Sequence, residues 1–159
     1  MITLKYIKDE IQKIAEAIEA VLEIDVTIVD ENLVRVAGTG IYVEKIGKKV
    51  NGYSAFKKSI IEQSNILIID PSCNEICKEC YSRSDCREFS EMCCPIVCEG
   101  KSYGVIGLIA FDSEQADRIN KDHENLINFL GKMADLISNK LKAQIKAYEL
   151  ELEKKKLET

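Results

Sequence analysis

The sequence predicts an α+β domain, a five-stranded antiparallel sheet flanked by helices, with long coiled-coil-type helices at both ends. Three observations carry this. β-Branched runs recur at hairpin spacing, as in "IDVTIVD" and "LVRVAGTG". Apolar residues near both termini recur at steps of three and four. Strands and helices do not alternate in βαβ fashion, which argues against a parallel sheet. With 159 residues, 46% of them hydrophobic, one domain can bury a core of ordinary size.

Along the chain, Leu4, Ile7, Ile11, Ile14, Ile18 and Val21 form a seam stepping 3, 4, 3, 4, 3, with Lys and Glu between. Two strands follow, joined by a tight turn at Glu31 and Asn32. "GIYVEKIGKKVNGYS" reads as a Gly-rich basic connection, "SAFKKSIIEQS" as a short helix, and "NILIID" as a third strand halted by Pro71. Strands near 92–98 and 102–111 are joined by a turn at Glu99 and Gly100. Asp112 with Gln115 resembles a capping box that opens one long last helix. Its seam is Ile127, Leu130, Ala134, Ile137, Leu141, Ile145, Tyr148 and Leu152, with one doubled step of four, a stutter, at Leu141 to Ile145. This order of elements fits a PAS-like or GAF-like domain over 1–140. Residues 141–159 then read as an outgoing signalling helix, cut short before downstream modules.

All seven cysteines lie between Cys73 and Cys98, spaced Cys73-x3-Cys77-x2-Cys80-x5-Cys86-x6-Cys93-Cys94-x3-Cys98. An odd number excludes complete pairing within the chain. The N-terminus, "MITLKYIKDEIQKIAEAI", is neither a signal peptide nor a membrane span. The expected location is cytoplasmic, where thiols stay reduced. The net charge of −5 and aromatic content of 6% speak against a nucleic-acid or anionic-membrane partner.

A Cys-x-x-Cys pair with two further cysteines downstream supplies four soft ligands for an iron–sulfur cluster or zinc. The compact spacing favours a cluster, four-iron before two-iron, with zinc and metal-free thiol chemistry as alternatives. Cys77, Cys80 and Cys86 are the first candidates. Cys94, followed by Pro95, is the candidate fourth, and Cys93 should point to the opposite face of the strand. Cys98 shares the face of Cys94 but lies about 13 Å further along. Cys73 and Cys98 read as bystanders, although they and Cys93 are possible alternates. Lys78, Arg83, Arg87 and Lys101 could offset thiolate charge, or could be ordinary solvated residues.

With these residues in view, "IDPSCNEICKECYSRSDCREFSEMCCPIVCEGKSYGVIGLIAF" resembles the N-terminal sensory domain of bacterial, mainly clostridial, sigma-54-dependent transcriptional regulators. The features are Cys77, Cys80 and Cys86, the Pro95–Ile96 pair, Gly104 to Phe111, and "DVTIVDENLVRVAGTG". Beyond a minimal four-cysteine pattern, Cys73, Cys93 and Cys98 are extra. The resemblance implies a sensor whose ATPase and DNA-reading modules lie outside this chain.

Among rival features, the Gly38 to Gly40 "GTG" reads as a turn and His123 as a solvated surface residue. Gly104 and Gly107 inside a strand imply close packing or room for a ligand. The expected function is therefore a non-enzymatic redox or oxygen sensor with an iron–sulfur cluster. It would dimerise through two helical seams, formed by Leu4, Ile7, Ile11, Ile14 and Ile18 and by Leu141, Ile145, Tyr148 and Leu152. The alternatives are a thiol enzyme of the free methionine sulfoxide reductase type and a zinc-stapled interaction domain.

Overall fold

The computed structural model describes residues 2–50, 54–69 and 89–158. A 3₁₀ turn, Leu4–Ile7, leads into α1, Lys8–Leu22. Its apolar stripe faces inward, and the helix closes at Glu23, which adopts a left-handed conformation (φ 55°). β1 (Asp25–Asp30) and β2 (Arg35–Gly38) form the predicted hairpin. The Asp30 carboxylate builds the turn by accepting from the N–H groups of Asn32 and Val34.

A second 3₁₀ turn, Gly40–Lys45, lies in the stretch expected to be an irregular connection; its buried Tyr42 anchors it to the sheet. α2 (Ser54–Glu62) and β3 (Ile66–Ile68) follow, then β4 (Ser90–Cys98) and β5 (Lys101–Ala110). Glu99 and Gly100, both at positive φ, make the β4–β5 turn. The sheet order is β2-β1-β5-β4-β3 and every pair is antiparallel. The α+β expectation is met, with β5 at the centre between β1 and β4.

The last helix departs from expectation. Asp112 Oδ1 does accept from the Gln115 N–H (2.8 Å), but the helix it caps, α3, spans only Ser113–Lys121. The Gln115 side chain reaches back to Phe111 N instead of completing the reciprocal bond at Asp112. Asp122 breaks the helix and accepts from Asn125, and α4 then runs through His123–Glu158. The three-and-four periodicity passes straight through the break from Ile119 to Leu126, so pattern alone could not reveal it.

The two faces of the sheet carry separate clusters. The 3₁₀ turn Leu4–Ile7, α1, α3 and α4 cover one face, together with Val26, Ile28, Met92, Cys94, Ile96 and Leu108. α2 and Tyr42 cover the other, over Val29, Cys93, Val105 and Ile109. Two glycines on β5 permit this closeness. A Cβ on Gly104 would collide with the Val29 carbonyl and the Leu4 side chain, and one on Gly107 would meet the Phe56 ring. Close packing, not an opening for ligand, explains both.

One expectation is corrected here. Leu4, Ile7, Ile11, Ile14 and Ile18 are all buried against the sheet of their own chain, as is Leu141. The N-terminal stripe therefore cannot double as a dimer seam without unpacking the core. Ile145 is half-buried, while Tyr148 and Leu152 remain exposed on α4 beyond the globule. Among the described residues, no helix is long and apolar enough to cross a membrane.

Candidate functional site

β4 is the element on which the site converges, because it carries three cysteines at the end of the cysteine-rich stretch. Its alternation separates them as expected. Cys94 and Cys98 face α4, whereas Cys93 joins the cluster under α2. All three are buried. Cys73, Cys77, Cys80 and Cys86 lie outside the described residues, as do Pro71, Lys78, Arg83 and Arg87.

Cys94 sits where ionisation is hardest. Burial, and then the carboxylate of Asp135 on α4, push its thiol up to about 11. A free thiol here stays protonated at neutral pH, the opposite of an activated nucleophile. A bound cation would reverse this balance, since metal binding displaces the thiol proton. Cys93 Sγ lies 3.5 Å from Glu91 Oε1, a carboxylate that is itself buried. A ligand at position 94 would thus be flanked by Asp135, and one at position 93 by Glu91. Among the described residues, no three His, Cys, Asp or Glu side chains converge on one point. A metal centre would therefore need donors from residues 70–88.

Pro95 lies two residues beyond Cys93, the last β4 position paired with β3, so a missing N–H is tolerated there. Lys101, at the β4–β5 turn, is 3.6 Å from Glu31 and lies over the Tyr103 ring.

The second face holds a polar group that the sequence reading missed. Arg35 is buried on β2, with Nε donating to Thr27 Oγ1 at 2.6 Å and the guanidinium 4.6 Å from the Tyr42 ring centre. Tyr42 in turn packs against Phe111, ring centres 5.9 Å apart. A lone Arg in a β-branched run looks like an outward-facing strand residue, and no local signal distinguishes it.

The rival features resolve simply. Thr39 of the "GTG" accepts from Val26 N and donates to Asp25, closing the strand end as a turn. His123 Nδ1 is 3.0 Å from the Asn120 carbonyl at the α3–α4 break, half-buried instead of fully solvated.

No family model matches the chain. It is 32% identical over 139 residues to UacR of Escherichia coli K12, a candidate uric acid sigma-54-dependent transcriptional regulator. The match covers 87% of this chain and 24% of that protein, so the chain spans about a quarter of the length of its relative. The chain has a GAF-like fold and is similar in sequence to a part of a sigma-54-dependent transcriptional regulator.

Solved structures agree on the fold. The GAF domain of an Acinetobacter phosphoenolpyruvate-protein phosphotransferase superposes with a TM-score of 0.64 at 16% identity, covering 92% of this chain and 86% of that one. The A. aeolicus nlh2 GAF domain gives 0.54 at 16% identity, covering 81% and 85%. The type II free methionine-R-sulfoxide reductase of Thermoplasma acidophilum gives 0.61 at 15% identity, covering 87% and 94%. This GAF-like domain thus shares its fold with other GAF domains and with a free methionine-R-sulfoxide reductase, and its cysteine-bearing strand β4 packs beneath α4.

Proposed function

We propose that this GAF-like domain is a redox or oxygen sensor that binds an iron–sulfur cluster through its cysteine-rich stretch. One observation carries the reading: all seven cysteines fall within 26 residues that end on β4, the strand beneath α4. Cys77, Cys80, Cys86 and Cys94 are the proposed thiolates, with Cys93 as the alternate fourth. A four-iron cluster suits compact thiolate spacing better than zinc does. Shared ligation would tie residues 77–86 to β4, so that losing it would free one end of the strand. The domain would act in the cytoplasm as a homodimer joined through Ile145, Tyr148 and Leu152, with downstream regulator modules receiving the signal.

Anaerobic purification followed by iron, sulfide and zinc analysis tests this. A brown protein with acid-labile sulfide and absorption near 400 nm supports it; stoichiometric zinc without sulfide refutes the cluster. Serine at Cys77, Cys80, Cys86 or Cys94 should each lower iron retention sharply, and serine at Cys73 or Cys98 should not. Retained iron in Cys94→Ser with loss in Cys93→Ser would move the fourth ligand to Cys93.

The buried Arg35, with Thr27 and Tyr42, favours a second reading. A planar cation beside an aromatic ring suits a planar oxyanion, and uric acid in the name of UacR makes urate the first compound to try. A rise in melting temperature with urate, lost in Arg35→Met, would support it.

The thiol-enzyme alternative draws on the fold shared with a free methionine-R-sulfoxide reductase, and turnover of free methionine sulfoxide tests it.

A further inference from the structure

Ser138 is a buried hydroxyl set in the apolar seam of α4, between the fully buried Ile137 and Leu141. Packing alone would favour an apolar residue there, since a buried hydroxyl is costly without a partner. Its partner is on β4: Ser138 Oγ donates to the Val97 carbonyl at 3.1 Å. In the opposite direction, Cys98 Sγ lies 3.9 Å from the Ser138 carbonyl. Two consecutive strand residues are thus clasped by one helix residue.

The strand is unusually free at this point. β3 pairs with β4 only as far as Cys93, and the β4–β5 register slips between Ile96 and Val97, where β5 carries the extra residue Tyr103. Such a slip re-aims backbone groups and loosens the ladder. The clasp also lies just before α4 departs from the domain, because Leu141 is its last fully buried residue.

We infer that the Ser138–Val97–Cys98 clasp couples the cysteine-bearing strand β4 to the outgoing half of α4. The inference rests on the sensor reading of the preceding section. The closed arrangement is the one described. In the open arrangement, Ser138 turns its hydroxyl to the carbonyl of Ala134, four residues earlier in its own helix, and the weak thiol donor of Cys98 is released. Helical serines make that back-bond readily, so the Ser138 hydroxyl keeps a partner in both arrangements. A switch of this kind needs two arrangements of similar energy, and a hydroxyl with two acceptors supplies them.

The test is hydrogen exchange by mass spectrometry on the full chain, metal-loaded and chelator-stripped. In the unmodified protein, peptides covering 142–158 should differ in exchange rate by at least about five-fold between the two states. Ser138→Ala should abolish that difference at unchanged metal content. Ser138→Thr, which keeps the hydroxyl, and Ile137→Val, which leaves the clasp intact, should preserve it. A Ser138→Ala protein that retains the full difference overturns the inference.

Should Ser138→Ala fold poorly, Cys98→Ala removes the other half and should reduce the difference. Its full retention there would likewise overturn the clasp. If the chain binds no metal, the cluster reading fails, and exchange in sub-denaturing urea decides the clasp separately. β4 and residues 134–145 should then open as one unit, and in Ser138→Ala as two. Separate opening in the unmodified chain, or joint opening in Ser138→Ala, would overturn it.

Discussion

The side-chain amide of Gln12 meets the backbone of Gly38 twice. Its Nε2 donates to the Gly38 carbonyl and its Oε1 accepts from the Gly38 N–H, each at 2.9 Å. Gln12 thus acts towards the edge strand β2 as a further strand would, pinning α1 to the sheet and blunting its edge.

Gln12→Ala should therefore lower unfolding free energy by about 1–3 kcal/mol, the sum of two ordinary hydrogen bonds. Gln12→Glu keeps the acceptor and loses the donor, so it should fall between the two. Urea denaturation followed by circular dichroism measures both.

Cys94 sets an alkaline limit on the metal-free chain. Its thiol is pushed from the ordinary 9.0 up to about 11, first by burial and then by Asp135. Below pH 9 the folded and unfolded chains both keep this proton, and the contribution to stability is fully present. Between pH 9 and about 11 the unfolded chain ionises first, so stability falls, by at most about 3 kcal/mol. Cys94→Ala should remove this part of the decline, and Asp135→Asn should bring thiolate absorbance at a lower pH. Identical alkaline slopes for the unmodified chain and Cys94→Ala would contradict this.

Gly104 and Gly107 should respond differently to alanine. At Gly104 the new methyl meets backbone, the Val29 carbonyl, which cannot turn aside; a loss of about 3 kcal/mol is expected. At Gly107 it meets the Phe56 ring and the Thr27 methyl, side chains able to shift, and about 1 kcal/mol is expected. Thermal unfolding of both variants checks the ranking.

Tyr148 and Leu152 are exposed beyond the domain, so Tyr148→Glu with Leu152→Glu should dissociate a dimer without unfolding the sheet. Leu141 behaves otherwise. It is fully buried, and Leu141→Ala should cost about 2–5 kcal/mol in stability before it says anything about association. Light scattering beside urea titration separates the two effects. A monomer at tens of micromolar for the unmodified chain would remove the proposed dimer.

The strands and their faces were legible because the side-chain period of a strand is local. "DVTIVD" alternates between two buried faces, and Cys93 and Cys94 part to opposite sides by the same rule. Asp112 was legible as a cap because its partner, Gln115, lies within one turn. The break at Asp122 was not, since the apolar phase continues through it and only the packing of two helices on one domain requires a change of direction.

By itself, then, the sequence determined the order and type of most elements, the antiparallel sheet and the concentration of all seven cysteines between Cys73 and Cys98, properties set by residue type and near-neighbour spacing. Tertiary structure alone decided what each apolar stripe packs against. The stripe from Leu4 to Ile18 suits a second helix as well as a sheet, because periodicity shows which residues share a face and not what covers it. It likewise decided that Arg35 is buried, that Asp135 approaches Cys94, and that Ser138 reaches Val97. Those pairs are 41 residues apart at Ser138 and Val97 and similarly distant at Asp135 and Cys94, and only the closing of α4 over β4 brings them within reach of one another.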